Sequence, residues 1–209
     1  MANYYVPIQA EACEKKLSPL EPKYTPRILG RRFALTPTAY KYLDIGISAG
    51  PISFVELIIG DNRGNQIILL YEPWKAVLQR RADIEQLVHA TAAASLTICN
   101  LTIQVVNVSN GTIVKLTSCG TCMYMKPSTI LFLLEIEHCV EHAYYQLYQN
   151  IYAVNEKYKH FVSLLRKNCV NNKCDAAKLL REMYDKTSLI DCELLMYALD
   201  NIVYNALHV

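Results

Sequence analysis

Two groups of residues in this chain have types and spacing that could do chemistry. The first is metal-ligating. Cys119-Gly-Thr-Cys122 has the spacing of half a zinc site or of a redox pair. A zinc site needs two more ligands. Cys169 and Cys174 are candidates, as are His138 and His142, one helical turn apart. The cysteine pairs lie far apart in the chain, and no Glu follows His138 as it would in a metalloprotease helix. Unliganded side chains on a hairpin and a helix are the plainer reading, and no cofactor is implied. The second group is basic and aromatic. Arg27, Arg31 and Arg32 come shortly before Tyr40, Lys41 and Tyr42. Cations can hold phosphates while the rings stack on bases. The alternative is a solvated sheet edge, where Lys and Arg guard against aggregation. Nothing points to an enzyme: there is no phosphate-cradling glycine loop, no paired acidic motif and no serine elbow. With seven glycines in 209 residues, a loop-built active site is not expected.

The stretch from Phe54 to Leu78 must position the basic group. Phe54 to Ile59 alternates as a strand does, Asp61-Asn62-Arg63-Gly64 supplies turn chemistry, and Gln66 to Tyr71 reads as the return strand. Glu72 and Pro73 open a helix on which Trp74, Val77, Leu78, Ile84, Leu87 and Val88 share a face. Leu35 to Thr38 and Tyr42 to Ser48 read as earlier strands. The same order recurs. Leu96 to Met125 is β-rich, with Thr102–Ser109 and Thr112–Ser118 joined at Asn110-Gly111, a strong hairpin signal. Lys126-Pro127-Ser128 then opens a second helix, about 54 residues after the first, a period of duplicated units.

The run containing Ile67, Leu69, Glu72, Trp74 and Val77 resembles the DNA-binding module of the positive cofactor 4 family of transcriptional coactivators, over a quarter to a third of the chain. The resemblance implies an antiparallel sheet followed by a helix, pairing of two such modules, and binding of single-stranded DNA. It implies that Trp74 stacks on a base, whereas its helix spacing places it in the core beside Val77 and Leu78. The chain departs from the family where basic residues face nucleic acid: those places hold Ile58, Ile59, Asn65 and Gln66.

From Val140 to Leu165 the apolar residues Val140, Tyr144, Leu147, Ile151, Val154, Tyr158, Phe161 and Leu165 alternate in steps of four and three. This heptad seam predicts one helix from Ser128 to Asn168, about 60 Å long at 1.5 Å per residue. Ala176–Tyr184 and Leu189–Leu207 predict shorter helices folded back along it, and the seam itself could join two copies.

The expected fold is α+β: two strand–hairpin–strand–helix units with antiparallel sheets, plus the long helix and a C-terminal helical segment packed on it. The expected boundaries are an extended arm at 1–30, a first unit at 31–95, a second at 96–168 and C-terminal helices at 169–209. A net charge of +2 argues against a strongly electrostatic nucleic-acid binder. No signal peptide or membrane-length apolar run is evident, so the eight cysteines read as reduced thiols in a cytoplasmic or nuclear, unsecreted protein. The 15 tyrosines fit half-buried faces or a partner surface. The functional expectation is a non-enzymatic, oligomeric single-stranded nucleic-acid-binding protein linked to transcription or replication. Arg31, Arg32, Lys41, Arg63 and Lys75 would hold phosphate, and Tyr40, Tyr42 and Trp74 would stack bases. Its oligomer would form through the seam or the sheet. The alternative is a structural or interaction protein, such as a viral assembly or host-interaction factor, that has lost nucleic acid.

Overall fold

The computed structural model describes residues 25–90, 92–109, 111–170 and 172–208. The first unit contains β1 (Arg27–Ala34), β2 (Lys41–Ser48), β3 (Phe54–Asp61) and β4 (Gln66–Leu69), then α1 (Tyr71–Gln79) and α2 (Arg81–His89). The second repeats that order with β5 (Ala94–Ile98), β6 (Leu101–Val108), β7 (Gly111–Ser118) and β8 (Thr121–Met125), then α3 (Pro127–Glu135) and α4 (Glu137–Tyr148). Then come α5 (Ile151–Lys167), α6 (Lys173–Met183), α7 (Leu189–Tyr197) and α8 (Leu199–Leu207). Each sheet is an antiparallel meander of four strands in chain order. The expected α+β class with two antiparallel units and a C-terminal helical segment is what the chain adopts. Residues 1–24 of the expected arm lie outside the described residues, and β1 begins inside that segment, at Arg27. Asn110 also lies outside them, but Val108 and Gly111 on either side pair across β6 and β7.

Alternation sets one face of each sheet inward. Leu43, Ile45, Val55, Leu57, Ile59, Ile67 and Leu69 in the first sheet are at most 5% exposed, as are Leu101, Ile103, Val105, Val114, Leu116 and Met125 in the second. The helices cover these faces crosswise. α2 packs on β5 and β6 of the second sheet, α4 packs on β2 and β3 of the first, and the edge strands β4 and β8 lie alongside each other. Trp74 is fully buried in this shared centre.

Three expectations about elements are corrected. Leu35–Thr38 is a turn; the strand precedes it, and Leu35 N–H instead closes the loop on Lys41 C=O at 2.8 Å. The helix after Pro73 is two helices, broken at Arg80 (φ −97°, ψ 22°), so that α2 can turn onto the other sheet. The long helix from Ser128 to Asn168 is three. Ile136 separates α3 from α4, which leaves α3 on β7 while α4 crosses to the first sheet. Asn150 separates α4 from α5. Its backbone N–H bonds Leu147 C=O at 2.9 Å, while its side-chain Nδ2 takes the Gln146 carbonyl at 2.8 Å. An Asn side chain that competes for a backbone acceptor breaks the ladder, and a heptad count does not register it. Most of the seam is taken up within this chain. Val140, Leu147, Val154, Tyr158, Phe161 and Leu165 are buried within this chain, and α5 packs on α6, α7 and α8. No described helix is long and apolar enough to cross a membrane.

α5 ends in a Schellman motif: Cys169 N–H donates to Arg166 C=O at 3.1 Å and Val170 N–H to Leu165 C=O at 3.3 Å. Cys169 occupies the left-handed position with φ 50°, where a Cβ costs roughly 1–2 kcal/mol. Cys169→Gly is therefore expected to raise stability by about 1 kcal/mol in urea unfolding. A loss of stability would contradict this account of the helix end.

Candidate nucleic-acid interface

The residues expected to bind nucleic acid from the first unit are not brought together on one surface, and several are used up within the fold. Trp74 is fully buried and cannot stack on a base. The Tyr42 ring lies on Gly60, where a Cβ would stand 2.4 Å from ring carbons, so only glycine fits beneath it. The Arg32 guanidinium covers the same ring at 3.7 Å from its centroid. Arg32 also donates from Nε and Nη2 to the two oxygens of Asp44, each at 2.7 Å. Tyr42 is thus closed from both sides, and the Arg32 charge is matched. Lys75 lies with its Nζ 5.7 Å from the Tyr71 ring centroid on α1. Arg31 and Arg63 are exposed.

Lys41 is buried, and its Nζ donates to Asp61 Oδ2 at 2.9 Å. Asp61 is the knot of this end of the sheet. Its Oδ1 also accepts from the backbone N–H groups of Arg63 and Asn65, each at 3.0 Å, which fixes the β3–β4 turn. Burial alone would raise the Asp61 carboxyl. The hydrogen bonds from Lys41 and Asn65, helped by the Lys41 charge, outweigh it and hold the group down at about 2. Asn62 N–H in that turn donates to Tyr40 C=O at 3.1 Å, so the β1–β2 loop and the β3–β4 turn stand together.

The second sheet leaves its outer face open. Cross-strand pairing sets Gln104 beside Lys115 and Lys115 beside Tyr124. The next row is Thr97, Thr102, Thr117 and Cys122. The register equates Lys115 and Tyr124 with Ile58 and Ile68 of the first sheet, since each pair faces across the last two strands of its meander. Tyr124 is 49% exposed, with Lys115 Nζ 6.0 Å from its ring centroid. No Asp or Glu occurs between Glu85 and Glu135, so no carboxylate competes on this sheet.

This face runs into a cleft of about 600 Å³ between the units, lined among others by Thr36, Tyr40, Lys41, Tyr124, Lys126 and Ser128. The first turn of α3 opens into it, and the N-cap Lys126 supplies no side-chain acceptor there. The structure therefore joins Tyr40 and Lys41 from the expected set with Tyr124, Lys126 and Lys115, which sequence reading missed. The signal available was the acid-free run from 86 to 134. The metal candidates are not assembled. Cys119 sits in the β7–β8 turn and Cys122 on the outer face of β8, while His138 and His142 are exposed on α4. Among the described residues no group of three His, Cys, Asp or Glu side chains could hold a metal ion. Comparison with family models, with curated proteins and with solved structures returns no match.

The buried pair makes two predictions. Because the folded Asp61 carboxyl ionises more readily than the ordinary unfolded value near 3.9, its contribution is complete above that value. It is lost as pH falls toward about 2. Asp61→Asn should flatten the fall of Tm across that acid range relative to the parent. Lys41→Met, which strands a buried carboxylate, should cost about 3–5 kcal/mol in urea unfolding at neutral pH. A cost under about 1 kcal/mol would mean the pair is solvated.

Proposed function

We propose that this protein binds single-stranded nucleic acid along the outer face of its second sheet and into the cleft between the units. Tyr124 and Tyr40 offer rings for stacking, Lys115 and Lys126 meet phosphate, and the threonine row with Gln104 hydrogen-bonds the backbone and base edges. The observation that carries this reading is the exposed Tyr124 beneath Lys115 on a sheet without a carboxylate. Stacking on an aromatic with a neighbouring cation is the common device of sequence-tolerant single-strand binding. The resemblance of the first unit to the coactivator module supports the same ligand, although the working face moves to the second unit. A role in transcription or replication rests on that resemblance.

Titration of a labelled oligothymidylate by fluorescence anisotropy at two salt concentrations tests the proposal. Binding should weaken steeply with salt, because phosphate contacts release counterions. Tyr124→Ala should cost about 1–3 kcal/mol. Lys115→Glu and Lys126→Glu should each weaken binding and flatten the salt slope. Equal binding by all three variants would reject this face.

A second reading, binding of a protein partner, is favoured by one cluster. The Tyr71 and Tyr144 rings stack at 3.6 Å, with Tyr145 edge-on to Tyr71 at 6.4 Å and Tyr148 at 5.8 Å from Tyr144. Tyr145 and Tyr148 are more than half exposed, and exposed tyrosines are enriched at interfaces. No oligonucleotide binding at low salt, with mass rising with concentration in light scattering, would favour this reading.

A further inference from the structure

The basic residues of β1 do not all serve the first sheet. Arg27 also lines a groove of about 610 Å³ between the start of β1, α6 and the α7–α8 junction. Lys173 and Arg181, from the first and last parts of α6, line the same groove, and Met196 and Tyr197 form an exposed wall. Three cations thus meet one carboxylate, Asp200, and that carboxylate is already paired with Lys173. Arg181 makes no ion pair among the described residues.

Arg27 is the informative member. Its Nη1 forms an ion pair with Glu56 Oε1 at 3.6 Å, beyond hydrogen-bonding distance. Burial pushes the Glu56 carboxyl up, against the pull of Arg27. That Nη1, turned toward Glu56 and shielded from solvent, makes no hydrogen bond among the described residues. The remaining guanidinium donors of Arg27 make no hydrogen bond among the described residues and are the ones open to an oxyanion. Arg27 also borders a smaller recess of about 210 Å³ with Arg31 and Arg32, so the basic lining continues along the edge strand.

We infer that the groove between β1, α6 and α8 binds a phosphate-bearing ligand, with the Arg27 and Arg181 guanidinium groups as the anion-holding pair and Lys173 as a third cation. Guanidinium forks suit phosphate oxygens because two N–H donors meet two acceptors in one plane. The Tyr197 side chain adds a flat surface beside them. The same chemistry fits a free oligophosphate or the backbone of a nucleic acid, and this site is separate from the second sheet.

Inorganic tripolyphosphate titrated into the full chain by calorimetry at low salt tests the inference. Saturable binding is expected, weakened roughly tenfold by Arg181→Glu and similarly by Lys173→Glu, both exposed positions on α6. Lys115→Glu should bind tripolyphosphate as the parent does, so the two proposals fail independently. If oligothymidylate displaces tripolyphosphate, and Arg181→Glu also weakens oligothymidylate, the ligand is a nucleic-acid backbone. If it does not displace, the site takes a free oligophosphate. No binding by the parent chain, or equal binding by both α6 variants, would overturn the inference.

Discussion

A four-stranded antiparallel meander has one apolar face that its own strands cannot cover, and this chain must bury two of them. Its solution is reciprocal. The helices after each meander lie across the other sheet, α2 over β5 and β6 and α4 over β2 and β3. Burying apolar area is the main favourable contribution to folding, so neither unit is expected to be stable without its neighbour. The breaks at Arg80 and Ile136 follow from this requirement, while the break at Asn150 turns α5 onto α6, α7 and α8. A straight helix would overhang its own sheet and leave the other uncovered.

Covering both inner faces turns both outer faces away from the core, and the two differ. On the first sheet Arg32, Asp44 and Tyr42 satisfy one another, and the Tyr42 ring fills the space over Gly60. On the second, the corresponding strands carry Gln104, Thr102 and Thr117, with Lys115 and Tyr124 where the first has isoleucines. One unit spends its polar groups on itself; the other leaves them available. The Lys41–Asp61 pair closes the end of the first sheet, where the β1–β2 loop borders the cleft, so a structural ion pair shapes one wall of the proposed ligand surface.

Much of the architecture was legible in the sequence. The Asp61–Gly64 turn, the alternation of Phe54 to Ile59, the paired hairpins and the helix-opening Pro73 and Pro127 specify local structure directly, and their recurrence gives the two units. The placement of Trp74 was legible too, since its helix neighbours Val77 and Leu78 are apolar. The helix breaks were not, because Asn150 and Arg80 act through backbone competition and tertiary crossing rather than periodicity. The seam allowed both helices folded back along it and a join between copies, because a heptad pattern is the same whether its partner lies in the same chain or in another. The fate of Lys41, Arg32 and Tyr42 depended on Asp61, Asp44 and Gly60, which only strand register brings opposite them.

Photocrosslinking of a halogenated oligothymidylate to the full chain, followed by peptide mapping, tests the central claim most directly, since it reports which aromatic side chains touch a base. The account predicts adducts at Tyr124 and Tyr40, on opposite walls of the cleft between the units. Adducts confined to Tyr145 and Tyr148 on α4, or to the Arg32–Tyr42 stack of the first sheet, would contradict it.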